Sequence, residues 1–142
     1  MIIRLLEPND FHKNFLEILN CFGKPKSDLK ADNFKKLYHE VVSKNTTVCV
    51  AEEDGRILGC GTVIIENKFH NGGCKCAHIE DIAVLPSERK KNIGSSILNF
   101  LKKIAIKNNC FKITLATSSD NISFYKKNGF IERGLTFELF LS

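Results

Sequence analysis

No apolar run in this 142-residue chain approaches the roughly 20 residues that a helix needs to cross a bilayer. There is no GxxxxGK[ST] run for a P-loop. The Gly-rich fingerprint and strict strand-helix alternation of a Rossmann fold are missing too. The GXXG loop and the paired aromatic motifs of RNA-binding modules are also lacking, which puts such a module last among the readings. Basic residues outnumber acidic ones 21 to 16, for a formal net charge of +5, but they are scattered and not gathered into a tail. The excess therefore suits an anionic small ligand or plain solubility better than a nucleic-acid arm. Repeats, low-complexity stretches and linkers are absent. With 43% apolar residues, the chain reads as one domain over 1–142 with a real core.

Cysteine is not scarce: Cys21, Cys49, Cys60, Cys74, Cys76 and Cys110 lie in apolar surroundings. The N-terminus has no signal-peptide pattern, so we expect reduced thiols in a cytoplasmic protein. Cys74-x-Cys76 with His78 has neither the spacing nor the second ligand pair of a zinc site, and we expect burial in a strand and no metal.

In chain order, residues 2–6 read as a short strand closed by Pro8. Asn9 or Asp10 can cap a helix with Phe11, Phe15, Ile18, Leu19 and Phe22 facing inward, ending at Gly23 and Pro25. Ser27 or Asp28 can cap a second, with Leu29, Phe34, Leu37, Tyr38, Val41 and Val42 on its buried side. Residues 46–51 and 57–65 are β-branched strands joined by the hairpin dipeptide Asp54-Gly55. Gly59 and Gly61 within the second mark either a bulge or a close approach. After Asn71-Gly72-Gly73, residues 74–85 form the longest strand, residues 110–117 another, residues 121–128 a short helix closed by Gly129, and residues 130–141 one or two final strands. The order β-α-α-β-β-β-α-β-α-β makes an α/β (α+β) fold with a mixed, mostly antiparallel sheet.

Residues 78–103 organise the rest. Ile79, Ile82, Ala83, Val84 and Leu85 make a buried strand interrupted by Glu80 and Asp81, two carboxylates that alternate to opposite faces and need a partner or an exposed site. Ile93, Ile97, Leu98, Leu101, Ile104 and Ala105 then recur at helical spacing. Between them, Arg89, Lys90, Lys91, Asn92, Ile93 and Gly94 bring three cations and free backbone N–H groups to a helix N-terminus, a turn suited to phosphate.

That turn resembles the acetyl-CoA loop of the GNAT superfamily of N-acetyltransferases: Arg or Gln, two residues, Gly, one residue, then Gly or Ala. Arg89 and Gly94 match, and Asn92 stands where the first Gly is usual; Asn tolerates positive φ best among the other residues. Residues 64–70, 78–84 and 121–130 are similar to segments of the glucosamine 6-phosphate N-acetyltransferases. The resemblance covers residues 45–130 well and the last strand poorly. It implies the GNAT fold, acetyl-CoA as cosubstrate, transfer to the amine of glucosamine 6-phosphate on the route to UDP-N-acetylglucosamine, and a homodimer sharing the C-terminal strand, which the apolar residues 135–141 suit. It implies pantetheine pairing along Ile82, Ala83 and Val84, a pyrophosphate held by Arg89, Lys90, Lys91, Asn92, Ile93, Gly94 and Ser95, and Asn121 near the pantetheine arm. Tyr125 is implied as the acid for the departing thiolate. Glu80 and Asp81 are implied at the sugar, and Lys68, His70, Phe111 and Lys112 around the sugar phosphate. Two departures stand out. Ala116 follows Leu115 where the family carries an acid, and no Arg lies at the C-terminal substrate position, although Arg133 is nearby. These keep open a GNAT enzyme for a peptide or polyamine.

Overall fold

The β-branched runs pair as expected. A computed structural model describes residues 1–23 and 28–141. Strands β1 (Ile2–Leu5), β2 (Thr46–Glu53), β3 (Arg56–Asn67), β4 (Lys75–Val84) and β5 (Cys110–Thr114) lie side by side in sequence order. The first three pairings are antiparallel and β4 to β5 is parallel, which requires a crossover on one face. Asp54 (φ 50°) and Gly55 (φ 77°) both take positive φ, the backbone of a tight hairpin turn, and so fix the β2–β3 register.

The remaining elements are helix α1 (Phe15–Leu19), α2 (Ala31–Val41), α3 (His70–Gly73, one turn in which Asn71 and Gly72 are left-handed), α4 (Ile93–Lys107) and α5 (Ile122–Lys127). Helix α4 is the crossover. Its stripe Ile93, Ile97, Leu98, Leu101 and Ala105 is buried against Val63, Ile65, Ala77 and Ile79 of the sheet. The opposite face is covered by Phe15, Ile18 and Phe34 of α1 and α2, packed on Val48, Val50, Ile57 and Cys60. Strand β3 is covered on both faces and accordingly reads as a nearly continuous apolar run. Gly59 and Gly61 serve both expected purposes. A Cβ at Gly59 would lie 2.6 Å from the Ala83 carbonyl oxygen, one at Gly61 2.6 Å from Ile82 Cδ1 and 2.7 Å from Ile97 Cγ2, and the β3–β4 register shifts between Cys60 and Thr62.

Several expectations need correction. The first helix is broken into a 3-10 turn (Pro8–His12), α1 and a second 3-10 turn (Asn20–Phe22), with left-handed Asn14 (φ 62°) making the first of these breaks. Asp10 is not its N-cap residue, which is Glu7, but joins a capping box from the third position of the first turn. The carboxylate turns inward, 1% exposed, accepting from Arg4 twice at 2.7 Å and from the Glu7 N–H at 2.8 Å. Helix α2 starts after extended Lys30, not at Asp28, and Leu37 and Val41 stay exposed; the alternatives Ser27 and Pro25 lie outside the described residues. With 12 residues, β3 is longer than β4 with 10, and β5 ends at Thr114. Residues 130–141 form no strand: they make no ladder with the free edge of β5, and Ile131, Leu135, Phe137, Leu139, Phe140 and Leu141 are each at least 77% exposed.

Candidate active site

The site is a fork in the sheet. Parallel pairing of β4 with β5 stops at His78 and Thr114, so the edge of β4 beyond His78 has no strand beside it among the described residues. On the other side Thr62 pairs with Glu80 and Cys60 with Ala83, leaving Asp81 and Ile82 opposite Gly61 alone. That is a bulge, with Asp81 at φ 53°, and bulges re-aim side chains. Strict alternation of Glu80 and Asp81 is thereby broken, and both carboxylates are exposed. A cavity of about 890 Å³ fills the fork, walled by residues 79–82 on β4, by Ala116, Thr117 and Ser118 after β5, and by Asn121 and Tyr125 at α5.

Strand β4 leads through a 3-10 turn (Pro86–Glu88) into the basic turn before α4. Lys90 (φ 68°) and Asn92 (φ 61°) are both left-handed there. The first helical bond of α4 runs from the Ser96 N–H to the Asn92 carbonyl at 3.0 Å. The N–H groups of Ile93, Gly94 and Ser95 precede it and have no side-chain cap, which makes an anion cradle at the positive end of a 15-residue helix. The three cations are not equivalent. Lys91 pairs with Glu88 at 2.7 Å, holding that carboxyl below its usual range, while Arg89 Nε donates to the Val84 carbonyl at 3.4 Å and Lys90 is exposed. Backbone donors plus residual positive charge fit a pyrophosphate.

Helix α5 is short and held at both ends. Phe124 rests against the α4 N-terminus so closely that a Cβ on Gly94 would lie 3.0 Å from its ring. At the other end Gly129 is left-handed, the Phe130 N–H bonds the Tyr125 carbonyl at 3.1 Å, and the Gly129 N–H bonds the Lys126 carbonyl at 3.0 Å. These are the two bonds of a Schellman ending. Tyr125 lines the cavity between the rings of Phe124 and Phe130, and burial raises its phenol above the ordinary value. Asn121 Nδ2 donates to Ser118 Oγ at 3.4 Å, and both residues line the cavity.

The residues expected around the sugar phosphate are gathered elsewhere. The His70 and Phe111 rings meet edge to face at 6.5 Å and Lys112 Nζ sits 5.4 Å over Phe111. Lys68 pairs with Glu66 at 2.6 Å, Glu66 reaches His78 Nε2 at 2.5 Å, and His78 Nδ1 meets Thr114 Oγ1 at 2.9 Å. None of Lys68, His70, Phe111 or Lys112 lines the fork cavity. Sequence reasoning missed His78 as the tie between β4 and β5 at the split, and missed Phe22, Thr117, Ser118, Thr136 and Glu138 in the cavity wall. Thr117-Ser118 beside Asn121 carried a polar signal. Thr136 and Glu138, within an apolar terminus, did not. Ala116, singled out as a departure, does line the cavity. All six cysteines are free; burial pushes the Cys49 thiol up to about 12 and raises Cys60 further. Among the described residues, no group of three His, Cys, Asp or Glu is placed to hold a metal ion, and no helix is long and apolar enough to cross a membrane.

The acetyltransferase (GNAT) family model matches residues 12–130. This chain belongs to that family. Among relatives of the GNAT domain, glucosamine 6-phosphate N-acetyltransferase 1 of Dictyostelium discoideum is 32% identical, the match covering 97% of this chain and 89% of the relative. The Arabidopsis thaliana glucosamine 6-phosphate N-acetyltransferase is 33% identical over 94% of this chain and 91% of its own length. A crystal structure of the Arabidopsis thaliana enzyme superposes on the GNAT domain with a TM-score of 0.93 at 30% identity, covering 99% of this chain and 98% of that one.

Proposed function

We propose that this GNAT domain transfers the acetyl group of acetyl-CoA to the amine of glucosamine 6-phosphate. The observation that carries the reading is the fork: a bulged strand edge with no strand beside it among the described residues, leading through one turn into an uncapped helix N-terminus, with a half-buried phenol facing it. An extended amide-bearing arm pairs with an open strand edge, and its pyrophosphate suits the N–H groups of Ile93, Gly94 and Ser95. The thioester then lies beside Ile82, whose backbone N–H on the open edge of β4 can hold its carbonyl oxygen. Glu80 and Asp81, exposed on the cavity wall, orient the amino sugar, and Tyr125 gives its proton to the departing thiolate. No cysteine lines the cavity, which favours direct transfer in a ternary complex over an acetylated enzyme.

The phosphate-binding part of this reading rests on Lys68, His70, Phe111 and Lys112, which stand outside the cavity of one chain. A homodimer reconciles the two. The exposed apolar segment 131–141 is suited to a second copy, which would bring further residues to the fork. Free thiols suit a reducing, cytoplasmic setting. Thiol release from acetyl-CoA over a panel of amines tests the acceptor: glucosamine 6-phosphate should exceed glucosamine, spermidine and an N-terminal peptide in kcat/KM. A polyamine or peptide heading the panel would overturn the reading.

A further inference from the structure

Helix α5 has six residues, too few to hold its own direction, so what grips its end decides where Tyr125 points. The grip comes from Lys102 on α4. Its Nζ donates to the Asn128 carbonyl, one of the orphan acceptors at the α5 C-terminus, and lies 5.2 Å from the centre of the Phe130 ring. Phe130 in turn meets Tyr125 edge to face with centroids 5.9 Å apart, the apolar contact that accompanies a Schellman ending. Asn128 completes the cap through its own side chain, which donates to the Phe124 carbonyl at 2.8 Å. One ammonium thus touches both the carbonyl that ends the helix and the ring behind the phenol.

We propose that Lys102 is a positioning residue for Tyr125: by clamping the Schellman end of α5 onto α4, it fixes the direction of the phenol into the fork. The proposal rests on the reading of Tyr125 as the acid. Lys102 shares no atom with the cavity, so its influence passes through Asn128 and Phe130. The clamp also joins the two halves of the site. Helix α4 carries the pyrophosphate cradle at one end and Lys102 further along, so the cradle and the phenol are referred to one rigid body.

Two readouts test it. Lys102→Met keeps the aliphatic stem and removes the charge and the donors. It should lower kcat about tenfold, because small misplacements of a reacting group are expensive in rate, and leave the KM for acetyl-CoA within about threefold. Lys102→Arg should restore most of the loss. In a Tyr125→Phe background the same Lys102→Met change should lower kcat no further; an equal loss in both backgrounds overturns the proposal. The second readout needs no activity. The chain has two Tyr and no Trp, so in a Tyr38→Phe background Tyr125 is the sole strong emitter. Lys102→Met should raise acrylamide quenching of that emission about twofold as the end of α5 loosens, and unchanged quenching overturns the clamp. If Tyr125→Phe alone leaves kcat intact, the acid reading fails, while quenching still decides whether Lys102 holds the ring.

Discussion

At Asn92 a single backbone angle decides whether the turn before α4 can present its N–H groups. Its φ of 61° is tolerated by Asn, free for Gly, and strained for a β-branched residue by about 1–2 kcal/mol. Asn92→Gly should leave acetyl-CoA affinity close to the parent value, and Asn92→Val should weaken it roughly tenfold, as read by calorimetry. Equal affinities for the two variants would disconnect the turn from the coenzyme. The same residue shows what side-chain identity alone can reveal, since the preference of Asn for positive φ is local chemistry. Asp81 shows the opposite. Its φ of 53° arises from a mismatch in β3–β4 pairing, which no neighbour in the sequence announces.

Among the elements, β3 and β4 approach closely where the site begins. An Ala at Gly59 would place a Cβ 2.6 Å from the Ala83 carbonyl oxygen, and backbone on a central strand has little room to give. Gly59→Ala should therefore lose about 1–3 kcal/mol in urea unfolding and weaken acetyl-CoA binding through displaced Ala83. A variant as stable as the parent would contradict that packing. Helix α4 and the β2–β3 hairpin were legible because 3.6-residue periodicity and Asp54-Gly55 are local signals. The coenzyme edge of the fork along Ile82, Ala83 and Val84 was named only through family resemblance, and the split itself was missed because residues 110–117 read as one strand. The fork depends on where β5 parts from β4 after Thr114, a long-range event, and its wall borrows Thr136 and Glu138 from far along the chain. The broken first helix escaped notice because its apolar stripe continues across left-handed Asn14.

For the molecule as a whole, the charge cluster Arg4, Asp10, Lys13 and Glu52 ties the N-terminal segment to β2 on the side of the sheet away from α4. Arg4 contacts Asp10 at 2.7 Å and Glu52 at 2.5 Å, and Lys13 reaches Glu52 at 2.9 Å. Burial alone would raise the Asp10 carboxyl, but the Arg4 hydrogen bonds and the Glu7 N–H outweigh it and hold the group below its usual value. A depressed folded pKa contributes stability that is fully present above the unfolded value, about 3.9 for Asp, and is lost as pH falls through the folded one. Asp10→Asn should thus cost about 3 kcal/mol at neutral pH and flatten the loss of stability below about pH 4, checked by urea titrations at both pH values. The central claim concerns the fork: that it joins acetyl-CoA and glucosamine 6-phosphate in one complex and transfers the acetyl group directly. Initial velocities of thiol release, with both substrates varied, test it most directly. The account predicts lines that intersect in the double-reciprocal plot; parallel lines, or no release above background with glucosamine 6-phosphate, would contradict it.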